Sequence, residues 1–311
     1  MSDRVVEWTK MKSARAKSKI WIERRGRMVT LLCVAFMVFV AASILYFVTS
    51  KGLSTFVINK ASITDFLFGK DWDTGKLDKE GKPVVGALPM IAGSFAVTLF
   101  SALICAPFAI GGAVFMTENS PKFGKRILQP VIELLVGIPS VVYGFTGLSL
   151  VVPFLRDHFS GSGFGIAAAT IVLTVMILPT MMSLSVDAIL AVPASLREAS
   201  LALGATRWQT IYKVVLRTAR PGILTAMIFG MARAFGEALA VQMVIGNSAV
   251  IPKSLMEPAS TLTSILTMGM GNTVMGQVEN NALWTLALIL LLMSLIFIMI
   301  VRILGRRRTF E

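Results

Sequence analysis

The chain has 311 residues, 55% of them hydrophobic and 15% charged, with a mean hydropathy of +0.75. Soluble domains carry about 25% charged residues, so a water-soluble globular protein is excluded, and the apolar content equally excludes an intrinsically disordered chain. Thirty basic residues against 17 acidic ones give a formal charge of +13, and only two cysteines, Cys33 and Cys105, are present, each inside an apolar run. That leaves no disulfide scaffold and predicts an all-α integral membrane protein.

A helix crosses the hydrocarbon core with roughly 20 mostly apolar residues. Residues 1–27 form a basic N-terminal tail with nine Lys and Arg residues. Its Val5, Val6, Trp8, Ile20, Trp21 and Ile22 suit either a basic amphipathic helix lying on the inner leaflet or a solvated topogenic tail. The first span covers 28–48. A connection over 49–89 follows, too long for a plain link; its aromatic stretch 66–72 and polar stretch 70–82 predict a segment folded over the mouth of the bundle. Residues 90–304 form the core, with spans at 90–116, 127–153, 164–186, 222–245 and 283–304, which makes six transmembrane helices in all. A basic tail, 305–311, ends the chain.

Pro107, Pro139 and Pro179 lie inside the second, third and fourth spans. A proline frees a carbonyl that lipid cannot satisfy, so these helices are expected to lie against protein or line a cavity. In the second span Thr98, Ser101, Ala102, Cys105, Ala109, Gly112 and Ala113 recur at spacings that favour one face, a stripe of small side chains that lets another helix approach closely. The connections 154–163 and 246–282 are glycine-rich; the one histidine, His158, beside Arg156 and Asp157, reads as a solvated loop residue.

Orientation follows from the bias in Lys and Arg. Segments 1–27, 117–127, 187–221 and 302–311 hold 21 of the 30 basic residues, whereas 49–89, 154–163 and 246–282 hold eight. Both termini are therefore expected in the cytoplasm. The same distribution accounts for the net charge as a topology signal with attraction to anionic lipid; basic residues spread over short loops do not make a nucleic-acid-binding face.

The 187–221 connection reads as helix, glycine turn, helix. Ser195-Leu196-Arg197-Glu198 and Thr206-Arg207-Trp208-Gln209 each fit a capping box, and Gly204 stands where a helix end favours a residue tolerant of positive φ. Each short helix carries one apolar side, which suits docking into a groove on a cytoplasmic partner. Two charges, Arg233 and Glu237, fall inside the fifth span. A charge at that depth costs at least about 2.5–3.5 kcal/mol and requires a partner or water. Four residues apart on one helix, the two are placed to pair. The pair reads either as a buried ion pair that fixes packing or as a cation on an anion's path, held by the carboxylate.

Glu198-Ala199-Ser200-x3-Gly204 resembles the Glu-Ala-Ala-x3-Gly motif of ABC-importer permeases, with Ser in place of the second Ala and without the family's closing Leu-Pro, here Leu216-Arg217. The stretches 86–89, 133–144 and 233–241, the last followed by Gly246-Asn247, are similar to the phosphate-specific importer permeases of the PstC type. The resemblance implies the type I ABC importer permease fold with a cytoplasmic coupling-helix loop in a bacterial cytoplasmic membrane. It further implies ATPase coupling through Glu198, Ala199, Gly204, Ala205 and Arg207, and a phosphate pathway at Arg233 and Glu237. Glu133, near the end of its span, is expected to support a helix start or neighbouring pathway groups, with a role in transport as the other reading.

No Gly-x4-Gly-Lys-Ser/Thr phosphate loop occurs in the sequence, so the chain is not expected to hydrolyse ATP. No nucleophile–base set or metal-ligand cluster stands out, and no cofactor is expected on this chain; catalytic and metal residues are both none. The implied assembly contains a PstA-like second permease, two ATP-binding subunits using ATP-Mg, an extracytoplasmic phosphate-binding protein and the lipid bilayer. The alternatives are a permease for another oxyanion such as sulfate or molybdate, and an ATPase-independent secondary transporter.

Overall fold

A computed structural model describes residues 2–77 and 81–306; residues 307–311 of the C-terminal tail lie outside the described residues. The chain divides into two compact units, Met1–Lys51 and Gly52–Glu311. The first is built from a single helix, α1 (Ser2–Gly52), which carries the 28–48 apolar run.

In the second unit the principal helices are α2 (Leu88–Val114), α3 (Gln129–Gly137), α4 (Ser140–Thr146), α5 (Ile166–Leu190), α6 (Ala194–Ala202), α7 (Arg207–Thr210), α8 (Leu216–Phe235), α9 (Leu239–Ile245), α10 (Leu262–Met270) and α11 (Val278–Arg306). Among the described residues five helices are long and apolar enough to cross a membrane, and a bent pair, Pro121–Gly137 with Ser140–His158, makes a sixth if counted as one span.

That bend divides the third span expected over 127–153. The two halves meet at 93° around Ile138, which is extended (φ −69°, ψ 128°). The ring of Pro139 disfavours the α region for the residue before it, which favours a corner at this point. Tyr143 closes the corner, its hydroxyl donating to the Leu135 carbonyl at 2.8 Å. Pro107 and Pro179, by contrast, lie inside intact helices.

The fifth span is displaced as well. Its helix runs continuously from Arg207 to Phe235, through a π-helical turn at Ile211–Val215 and past Pro221, and stops short of the expected end at 245. The chain breaks at Gly236 and resumes as α9.

The core forms where α2 and α5 meet. Val97, Cys105 and Ala109 of α2 pack on Leu173, Met176 and Ile177 of α5, and Ala240, Val241 and Val244 of α9 complete the cluster. A Cβ added at Gly112 would collide with the Met182 side chain, so the small-residue face allows the close approach that the sequence predicts. Ser101 Oγ also donates to the Thr170 carbonyl across the interface at 3.2 Å.

The 49–89 connection contains two short helices and a hairpin the sequence reading lacks, β1 (Trp72–Leu77) antiparallel to β2 (Pro83–Val85). Phe66 and Val85 from it are buried with Met90, Leu262, Leu283 and Leu286, so the connection covers one end of α2, α10 and α11. Asn281 Nδ2 donates to Asn59 Oδ1 at 2.9 Å, and Thr285 Oγ1 to the Gly52 carbonyl at 2.7 Å. The 246–282 connection is likewise structured: Thr261 and Ser264 form a capping box that starts α10.

Candidate functional site

The break after α8 decides the geometry around the two intramembrane charges. The last carbonyls of a helix are unpaired and partly negative, and its first N–H groups partly positive. Arg233 lies in the last turn of α8, at the negative pole. Glu237 lies just before α9, where its Oε1 accepts the Ala240 N–H at 3.1 Å, at the positive pole. Each charge therefore meets a helix end of opposite sign.

Arg233 and Glu237 make no ion pair, which corrects the expected pairing. A spacing of four places side chains on one face only while the helix continues, and α8 ends between them. Arg233 Nη1 donates instead to Thr180 Oγ1 of α5 at 2.7 Å. Both charged residues are half-buried, and Tyr143 at the bend of the third span lies within reach of the Arg233 charge. Beside Glu237 a narrow crevice of only ≈ 10 Å³ is lined by Ser94, Thr98, Thr261 and Thr263 together with Phe235. Thr263 Oγ1 donates to the Glu237 backbone carbonyl at 2.8 Å, and Ser94 Oγ accepts the Leu262 N–H at 2.9 Å. A guanidinium on one side of the break and hydroxyls on the other can offer hydrogen bonds to an oxyanion.

Glu133 is exposed on α3 and accepts from Gln129 Nε2 at 3.1 Å. No hydrogen bond or ion pair joins it to Arg233 or Glu237.

At the other end of the bundle, the 187–221 connection folds as helix, turn, helix, with two corrections. The first capping box does not form. Pro193 occupies the N-cap position with extended backbone, so α6 starts a residue before the expected cap and Ser195 falls inside the helix. The second box forms in full: Gln209 N donates to Thr206 Oγ1 at 3.3 Å and Thr206 N to Gln209 Oε1 at 3.0 Å. Between them Gly204 has φ +82°, a conformation that only glycine adopts without strain. α7 is no separate second helix, for it opens the long helix that ends at Phe235.

Glu198, Ala199, Gly204 and Arg207 are exposed and Ala205 is half-buried. Leu203 is 89% exposed and Trp208 65%, with Leu196, Leu201 and Tyr212 also uncovered. Ser200, at the motif position where Ala is usual, uses its hydroxyl to bond Thr210 Oγ1 at 2.9 Å.

Two residues that the sequence reading missed are Glu118 and Arg197. Arg197 Nη2 lies 2.8 Å from Glu118 Oε1, with side-chain exposures of 22% and 14%. Its Nη1 donates to the Val192 carbonyl at 2.6 Å and its Nη2 to that of Ile189 at 3.0 Å. The available signal is a single acidic residue in the otherwise basic 117–127 connection. Among the described residues no three His, Cys, Asp or Glu side chains converge as metal ligands.

Residues 109–310 match the family described as the binding-protein-dependent transport system inner membrane component. The chain belongs to this family. The probable ABC transporter permease YqgH of Bacillus subtilis is 55% identical over 92% of each chain. The phosphate transport system permease PstC of Pasteurella multocida is 32% identical over 81% of this chain and 87% of its own. A bacterial alginate ABC transporter chain superposes with a TM-score of 0.63 at 15% identity, covering 90% of this chain and 93% of that one. A chain of the MetNI methionine ABC transporter gives 0.51 at 24%, covering 68% and 92%. The permease thus has the type I ABC importer fold and is a multi-pass protein of the cytoplasmic membrane. Permeases of this family work with ATPase subunits and a substrate-binding protein, and relatives with assigned roles are transport subunits rather than enzymes.

Proposed function

We propose that this permease is half of the membrane pathway of an ATP-driven importer of inorganic phosphate. The observation that carries the reading is the similarity to several PstC phosphate permeases, at 29–34% identity over 70% or more of this chain. Arg233 supports it physically: a guanidinium stays charged, and its planar fork matches a tetrahedral oxyanion. On this reading a PstA-like subunit forms the other half, two ATP-binding subunits hydrolyse ATP-Mg, and an external protein delivers phosphate. Both termini and the 187–221 connection lie in the cytoplasm, as the Lys/Arg bias requires. Glu198, Ala199, Gly204, Ala205 and Arg207 form the surface that meets the ATPase, and the exposed Leu203 and Trp208 enter its groove.

Arg233 stands on the pathway, and Glu237 partly neutralises the site when it is empty. Binding there has to be weak, because a tightly held anion would not leave. A role for Glu133 in supporting the pathway through α3 completes the assignment.

One Arg does not discriminate phosphate from sulfate or molybdate, so the test is selectivity. The complex purified with its natural partners and reconstituted in vesicles should take up labelled phosphate only with ATP, and excess sulfate should leave uptake unchanged. Equal competition by sulfate would replace phosphate by oxyanions in general. Uptake without ATP would favour a secondary transporter.

A further inference from the structure

The helix that presents the motif surface, α6, has no fully buried residue. The layer beneath it, by contrast, is well packed: Ala113 and Val114 from the end of α2, Ile189 from α5, and Val215 and Ile223 from the long helix through α8 form one buried cluster. Apolar packing therefore does not hold α6 to the bundle, and polar contacts have to. Arg197 supplies most of them. Its guanidinium binds two carbonyls at the end of α5 and the carboxylate of Glu118. Arg207, beyond the glycine turn, donates from Nη2 to the Glu118 backbone carbonyl at 3.4 Å.

Glu118 itself is firmly placed. It lies in a π-helical turn, Phe115–Asn119, that continues α2, and Gly124 packs so closely on Met116 that a Cβ there would meet its backbone. Such π-turns recur where a helix end is shaped for function. The opposite part of α2 carries Ser94, Val97 and Thr98, which line the crevice beside Glu237.

We infer that the Glu118–Arg197 pair is the positioning element that carries movement of α6 into α2, and so to the crevice beside Glu237. The inference rests on the importer reading above, in which α6 meets the ATPase. A half-buried pair in which Arg197 Nε and Nη2 both donate to Glu118 Oε1 resists sliding because breaking it strands a charge. An α6 joined to the bundle only through the backbone and the Ser200–Thr210 bond would move without moving α2.

The test uses the whole complex in vesicles, comparing wild type, Glu118→Gln, Arg197→Lys and the double variant. Three readings are taken: co-purification of the ATPase, ATP hydrolysis, and labelled phosphate uptake. The expected result is that each single variant keeps the ATPase and hydrolyses ATP, while uptake per ATP falls about tenfold, and the double variant loses no more than the worse single one. Wild-type uptake per ATP in both single variants would overturn the inference. So would losses that multiply in the double variant, or loss of the ATPase from both singles, since these place the residues in folding or docking instead. A wild-type complex that moves phosphate without ATP would instead overturn the importer reading.

Discussion

The Arg233 guanidinium reaches from the last turn of α8 to Thr180 of α5, Nη1 to Oγ1 at 2.7 Å, and not along its own helix to Glu237. The cation is thus aimed by a neutral hydroxyl and by the C-terminal pole of α8. A carboxylate partner would cancel most of its field; a hydroxyl leaves that field available to an anion.

Thr180→Val tests this aim. It preserves shape and β-branching but removes the acceptor, and a hydrogen bond to a charged group contributes about 1.5–3 kcal/mol. Phosphate uptake by the assembled complex should fall roughly tenfold, with the ATPase retained. Unchanged uptake would show that the guanidinium finds its position without Thr180.

Gly204→Val tests the turn between α6 and α7. A Cβ there would meet nothing within 4 Å, so the cost is the backbone at φ +82°, about 1–3 kcal/mol for a β-branched residue. Co-purification of the ATPase should drop, and a complex that stays whole and transports normally would move the docking surface elsewhere.

Two glycines of α2 should respond oppositely to alanine. At Gly93 a Cβ would collide with the Ser260 backbone carbonyl, whereas at Gly111 it would meet nothing. Gly93→Ala should destabilise the purified permease by about 1–3 kcal/mol. Gly111→Ala should leave it unchanged or stabilise it by up to about 1 kcal/mol through helix propensity. Thermal unfolding in detergent reads both, and equal effects would contradict the α2 packing described.

Features written in local periodicity are legible in the sequence. The small-residue face of α2 buries against α5 as its spacing requires, and Thr206 with Gln209 forms the reciprocal cap that four residues specify. Gly204 adopts the positive φ its place between helices demands. The corner in the third span and the break in the fifth are not legible, because hydropathy continues through Ile138–Pro139 and through Gly236. A proline inside an apolar run permits either a continuing helix, as at Pro179, or a corner, as at Pro139; the packing of Gly144 on Ala240 accompanies the corner and lies beyond any local window. The Glu118–Arg197 pair joins residues 79 apart, and no periodicity links them.

The same limit explains Arg233 and Glu237. Their spacing is a valid pairing signal within a helix, and the break that cancels it rests on tertiary contacts, among them Thr263 bonding the Glu237 carbonyl.

The most direct measurement is ATP-dependent uptake of labelled phosphate by the reconstituted complex carrying Arg233→Gln, with assembly checked by co-purification of every subunit. Loss of a charged partner for the anion predicts uptake reduced at least about tenfold in a complex of normal composition. Wild-type uptake by that variant would contradict the account and return Arg233 to the packing of α8 on α5.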